Sequence, residues 1–168
     1  MPSGYAAGMG GSDGPAATVA EINIAKRHGE LPSPVERVRA VAGRGLQGDR
    51  NFLSSGDPQP NRDQDITLIA AEALEALAET GIELSAAEPR RNLLTRGVDV
   101  EVLVGRRFMV GEVECEGIEL CEPCLHLEGM TRPGVLRGLV HRGGLRASIV
   151  SGGEIAVGDP VSIVATGS

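Results

Sequence analysis

Apolar and polar positions alternate over Thr18–Lys26 and, less regularly, over Pro34–Ala42 through Val35, Val38 and Val41. A period of two turns successive side chains to opposite faces, so both stretches are expected to be strands. After them comes Gly43-Arg44-Gly45-Leu46-Gln47-Gly48-Asp49-Arg50, a glycine-punctuated turn. Ser54–Gln64, with two prolines, a glycine and mostly polar neighbours, is expected to be an exposed loop. Asp65–Ile69 then reads as a short strand running into the clearest helix, Ala70–Glu79. Ala73, Leu74 and Leu77 form its apolar stripe and Gly81 stops it. Further strands are expected at Asn92–Thr95, at Arg107–Val110 and Val113–Leu120 joined around Gly111-Glu112, and at Leu145–Val150 and Pro160–Val164. Ser151-Gly152-Gly153 and Gly158-Asp159 read as turns, Pro133–Val140 as a short helix, and Val98–Val104 fits neither period. Many short strands with few helices predict a mainly β (α+β) fold, a β-barrel carrying a few peripheral helices.

Composition narrows the functional classes. Residues 1–16 are rich in Gly, Ala and Ser without an apolar period, which predicts a disordered tail ahead of a single domain over residues 17–168. Aromatic residues make up 2% with no tryptophan, so the core must be aliphatic and no stacking platform for single-stranded nucleic acid is expected. A formal charge of −7 argues against a general polyanion-binding surface, and any anion site must be local. No apolar run approaches the roughly 20 residues that span a bilayer, and the N-terminus lacks the pattern of a signal peptide. The three cysteines then imply free thiols in a reducing, cytoplasmic setting.

Candidate chemistry concentrates at Cys121-Glu122-Pro123-Cys124-Leu125-His126, framed by Pro89-Arg90-Arg91-Asn92 and by His141-Arg142-Gly143-Gly144-Leu145-Arg146. A cysteine acts as nucleophile or soft-metal ligand only as thiolate, which a helix N-terminus or neighbouring cations favour. Pro123 suits the first position of a helical turn, which would give Cys124 the first of these, with the arginines supplying the second. Cys115 sits in an apolar strand pattern, where core packing is the default. Cys115, Cys121, Cys124 and His126 could supply four zinc ligands, but the second short ligand step of a structural zinc site is missing. A thioredoxin-like dithiol would need a βαβ context that these strands do not offer. The glycine turn Gly45–Asp49 can bring backbone amides to an anion, or can simply be tight, with Asp49 and Arg50 holding it by hydrogen bonds. Arg90, Arg91, Arg96, Arg142 and Arg146 are candidate phosphate clamps or, singly, solvated charges.

Taken in order, several pieces resemble the MOSC domain, named for the C-terminal domain of molybdenum cofactor sulfurase. They are Gly45-Leu46-Gln47-Gly48-Asp49-Arg50-Asn51, Asp65–Ile69, Arg91-Asn92-Leu93-Leu94-Thr95-Arg96-Gly97, Leu103–Phe108, Cys121-Glu122-Pro123-Cys124, Arg142–Ala147 and Gly153–Asp159. The resemblance implies a barrel-like β fold and a site for the molybdenum cofactor (molybdopterin), with the family's characteristic cysteine falling on Cys124. In relatives of the mitochondrial amidoxime-reducing type that cysteine ligates molybdenum; in the sulfurase the domain handles sulfur. The implied cofactor-binding residues are Arg50, Arg91, Asn92, Arg96, His126, Arg142 and Arg146, with Cys124 as metal ligand or persulfide-bearing thiolate. The implied activity is carriage of cofactor or sulfur, or molybdenum-dependent reduction of N-hydroxylated compounds. The sulfurase's pyridoxal-phosphate domain is not in this sequence, so a separate cysteine desulfurase, an acceptor molybdoenzyme or an electron-donor protein would be the partner. A Cys-x-x-Cys metal-binding or thiol redox module without molybdenum cofactor is the rival expectation.

Overall fold

A computed structural model of the protein describes residues 16–54, 64–121, 128–129, 131, 133–139 and 142–165. Eleven strands are present among them: β1 (Thr18–Ile24), β2 (Ser33–Val35), β3 (Arg37–Val41), β4 (Gly45–Leu46), β5 (Ile66–Ala70), β6 (Leu93–Arg96), β7 (Arg107–Val110), β8 (Val113–Leu120), β9 (Leu145–Ser151), β10 (Gly153–Ala156) and β11 (Val161–Ile163). Helix α1 (Ala71–Glu79) follows β5, a 3-10 turn covers Val100–Leu103, and the single-turn helix α2 (Val135–Gly138) precedes β9. The mainly β class expected from the alternation is what forms, and β7 and β8 keep the predicted limits.

Eight strands make one sheet in the order β11-β7-β8-β9-β5-β6-β1-β2, and β10-β3-β4 make a second. All pairings are antiparallel except β5 with β6, whose register sets Leu68 opposite Leu93. A parallel pair needs a crossover, and α1 supplies it. One stripe of that helix packs Ala73, Leu74 and Leu77 against Ile69, Val135 and Leu139. The helix ends where the Thr80 hydroxyl donates to the Leu77 carbonyl at 2.6 Å and Gly81 takes a left-handed φ of 92°.

The large sheet curls but is not a closed barrel, which corrects the expected architecture in that detail. Its two ends meet where Thr18 pairs with Pro160, Val19 N donates to Asp159 O at 2.9 Å and Val161 N to Ala17 O at 3.0 Å. The ladder cannot run on for two reasons. Pro160 has no N–H to offer, and β2 occupies the edge of β1 from Ile22 to Ile24. The small sheet covers the remaining opening, so that Val38, Ala40, Leu46 and Ile155 join Leu68, Leu93, Phe108 and Leu145 in one aliphatic core. Burying each such side chain contributes on the order of 1.5–3 kcal/mol, which is how a chain nearly without aromatics holds together.

Two expected elements resolve differently. Pro34–Ala42 splits into β2 and β3. The presumed turn Ser151-Gly152-Gly153 is instead a crossing from one sheet to the other. There β9 leaves the large sheet, and β10 begins at Gly153 in the small one. A Cβ on Gly152 would lie 2.6 Å from the Ala40 carbonyl oxygen, so the crossing needs a residue without one.

Candidate functional site

Cys121 leaves the end of β8 and its N–H donates to the Gly144 carbonyl at 2.7 Å, which sets it beside the entry to β9. Gly144 is there because of crowding: at φ 116°, a Cβ would fall 2.3 Å from the Leu68 carbonyl oxygen and 3.1 Å from Arg91 Nε. Arg91, on the loop entering β6, reaches across β5 to the same place. Its Nε donates to Gly143 O at 2.8 Å and its Nη1 to Pro89 O at 3.0 Å. Arg146 comes from β9, opposite Glu119 of β8 and Thr67 of β5, and its Nη1 pairs with Glu119 Oε2 at 2.8 Å. The Arg146 Nε is buried with no hydrogen-bond partner among the described residues.

These contacts surround Cys121, which is 4% exposed. Burial pushes its pKa up, while the Arg91 and Arg146 guanidiniums and a hydrogen bond with Arg146 pull it down, and Glu119 adds a weaker upward push. Burial dominates, so the thiol is held protonated, though less firmly than it would be without the two cations. Cys115 is the inert one: it is fully buried inside β8, and desolvation with the nearby Asp65 and Glu114 carboxylates pushes its pKa up to about 12.

The other expected ligands are distributed differently. Cys124 and His126, with the turn expected to open at Pro123, lie outside the described residues. Arg50 is turned inward, its Nη1 on Asp49 Oδ1 at 3.2 Å and its Nη2 on the Arg90 carbonyl at 3.3 Å. Asn92 is buried and fully engaged. Its Oδ1 accepts from Thr67 N at 3.1 Å and Thr67 Oγ1 at 3.2 Å, and its Nδ2 donates to Asn23 O at 3.3 Å. Asn92 therefore pins the parallel β5–β6 pair to β1. Asn92→Ala should cost about 2–4 kcal/mol in urea unfolding, because the buried Thr67 N–H and Asn23 carbonyl lose the amide while the Thr67 hydroxyl keeps only the Asn92 N–H at 3.0 Å. A loss under about 0.5 kcal/mol would show that water replaces the amide there.

Arg96 sits at the far end of β6, roughly 16 Å from Arg91 at strand rise, and pairs with Glu75 Oε2 at 2.5 Å on the exposed side of α1. Arg142 is exposed and lines a cavity of about 560 Å³ with Ala70, Ala73, Val98, Asp99 and Glu101. No thiol is among the described residues that line this cavity, which faces the α1 end of the sheet. Cys121, Arg91 and Arg146 lie together where β8 meets β9 instead. Sequence reasoning had left Cys121 open; its spacing of three residues from Cys124 was the available signal. Nothing in the sequence pointed to Glu119 or to the left-handed backbone of Arg90 (φ 65°).

The geometry has counterparts among solved structures. The YuaD protein from Bacillus subtilis superposes with a TM-score of 0.76 at 16% identity, over 91% of this chain and 98% of that one. YiiM from Geobacillus stearothermophilus gives 0.69 at 16% identity over 89% and 75%. YiiM from Escherichia coli gives 0.65 at 17% over 92% and 72%. At such identities the likeness is one of fold. No curated protein matches the sequence. The profile of the MOSC domain matches residues 26–162, running from the end of β1 to the last strand and spanning the Cys121, Arg91 and Arg146 cluster, and the chain belongs to the MOSC domain family.

Proposed function

We propose that the protein binds the molybdenum cofactor at the end of the large sheet where β8 and β9 meet. Cys124 serves there as metal ligand or sulfur-bearing thiolate. The observation that carries this is the meeting of Arg91 and Arg146 with Cys121, three residues before Cys124, around the Gly143-Gly144 entry to β9. The donor set suits such a group: guanidinium forks match phosphate oxygens, a thiolate matches a thiophilic metal, and the Arg146 Nε is a buried donor without a partner among the described residues. When bound, the cofactor supplies oxygen-atom or sulfur chemistry at the metal.

The chain's own residues do the holding. Arg91 and Arg146 offer positive charge to the anionic side of the group. Gly143 and Gly144 keep the wall there free of side chains, and Arg91 in turn fixes the Gly143 carbonyl. Cys121 stays a protonated thiol by burial until a neighbour or ligand changes its surroundings. Arg50 and Asn92 hold the backbone on either side of Arg91, and Arg96 is committed to Glu75 on α1.

Binding serves either carriage of cofactor or sulfur to an acceptor protein or reduction of an N-hydroxylated compound with electrons from a donor protein. Turnover with an artificial electron donor separates the two. Reduction of an N-hydroxylated amidine by cofactor-loaded protein supports the reductase; cofactor or sulfur transfer without turnover supports the carrier. One equivalent of zinc without pterin would contradict both and favour a Cys-x-x-Cys metal module.

A further inference from the structure

The loop that delivers Arg91 contains, at Arg90, the one non-glycine residue with positive φ among the described residues, at 65°. L residues other than Asn and Asp rarely rest there, so the surroundings must hold the turn. Three contacts do so. The Arg90 N–H donates to Ala87 O at 2.9 Å, its Nη2 donates to Glu30 O at 2.7 Å, and its carbonyl accepts from Arg50 Nη2 at 3.3 Å.

Arg50 can act as a fixed post because it is itself fixed. Its side chain is 10% exposed and its partner Asp49 3%. The Asp49 carboxylate also accepts from Ala25 N at 3.0 Å and Asn51 N at 3.3 Å, while Arg50 N donates to Ala25 O at 2.6 Å. The fork therefore spans two segments forty residues apart, one nitrogen on the carboxylate and the other on the Arg90 carbonyl. A lysine ammonium is a point charge and does not reproduce that planar bridge.

We infer that Arg50 is a positioning residue: by holding the Arg90 carbonyl it sets the left-handed turn that presents the Arg91 guanidinium to Gly143 and Cys121. The inference rests on the proposed role of Arg91 in the site. It also explains the Gly-Asp-Arg turn without a direct Arg50 contact to any ligand, since Asp49 anchors Arg50 and Arg50 anchors the loop.

The test reads the thiol, not the loaded protein. In a full-length Cys124→Ser background, alkylation of Cys121 by iodoacetamide is followed against pH by peptide mass spectrometry, with core-buried Cys115 as the internal reference. Among the described residues, the charged groups facing Cys121 are Arg91, Arg146 and Glu119. Removing Arg91 with Arg91→Met should raise the midpoint of the Cys121 profile by about 0.5–1 pH unit. Arg50→Met should raise it by a similar amount, and the double variant should add nothing further, because the first change already withdraws the second group.

Additive shifts, an unmoved midpoint in Arg50→Met, or an unmoved midpoint in Arg91→Met would each overturn the inference. If Arg50→Met does not fold, Arg50→Lys keeps a charge for Asp49, loses the planar fork, and carries the same expectation. Absence of molybdenum and pterin from the wild type would defeat the cofactor proposal while leaving these thiol profiles intact, so the two failures are separate.

Discussion

Replacing Gly144 by alanine should destabilise the protein by about 3 kcal/mol or more, since a new Cβ meets a backbone carbonyl that cannot move without disturbing β5. The nearest atom would be the Leu68 oxygen at 2.3 Å, and Leu68 is itself paired with Leu145 across the sheet and Leu93 beyond it. Backbone strain adds to this because Gly144 sits at φ 116°. Gly158→Ala separates the two contributions, having a similar φ of 95° but nothing within 4 Å of the added Cβ. Urea unfolding should show Gly158→Ala costing about 1 kcal/mol and Gly144→Ala clearly more. Equal costs would mean that the entry to β9 has room to adjust. The surviving fraction of Gly144→Ala should also bind cofactor poorly, because the same Cβ lies 3.1 Å from Arg91 Nε.

Arg91→Ala should reduce retention of the cofactor by about 10- to 100-fold, the equivalent of one charge-assisted hydrogen bond to an anionic group at roughly 1.5–3 kcal/mol. Arg96→Ala provides the contrast. Arg96 carries the same charge at the other end of this segment, but its guanidinium is half exposed and committed to Glu75 on α1. Pterin released from the purified variants, measured by fluorescence after oxidation, should fall in Arg91→Ala and remain at the wild-type level in Arg96→Ala. Equal retention in both would remove Arg91 from the site, and equal loss would point to net charge instead of position.

The strand pattern was legible because each strand buries one face against an aliphatic core, and alternation records that burial directly. Arg107–Val110 and Val113–Leu120 show this best, with Phe108, Val110, Val113 and Cys115 all fully buried. What sequence could not show was which backbone edges would be satisfied. Barrel closure is decided by a proline at the seam and by β2 capping β1, and neither leaves a mark on hydrophobic periodicity. The strand β10 was missed for a related reason: two glycines in a row suggest a turn, whereas here they let the chain pass beside the Ala40 carbonyl and the Glu112 carboxylate.

The site was legible as a set of residue types and much less so as directions. Arginine and asparagine beside a cysteine motif suggest ligands wherever they occur. Direction separates them: Arg91 turns toward Gly143 and Arg146 toward Glu119, both beside Cys121, whereas Arg50 turns toward Asp49, Asn92 toward Thr67, and Arg96 toward Glu75. Asn92, just before β6, and Arg96, at its end, illustrate the point, because position along this segment determines whether a polar side chain meets the β5–β1 interior or the surface of α1.

The central claim is that this MOSC domain holds the molybdenum cofactor through Cys124, and it is tested most directly by composition. Wild type and Cys124→Ser are expressed in a host that makes the cofactor, purified without oxygen and analysed for molybdenum and pterin. Near-stoichiometric metal and pterin in the wild type, with the metal lost from Cys124→Ser, is the predicted result. Neither component in either protein, or equal amounts in both, would contradict it.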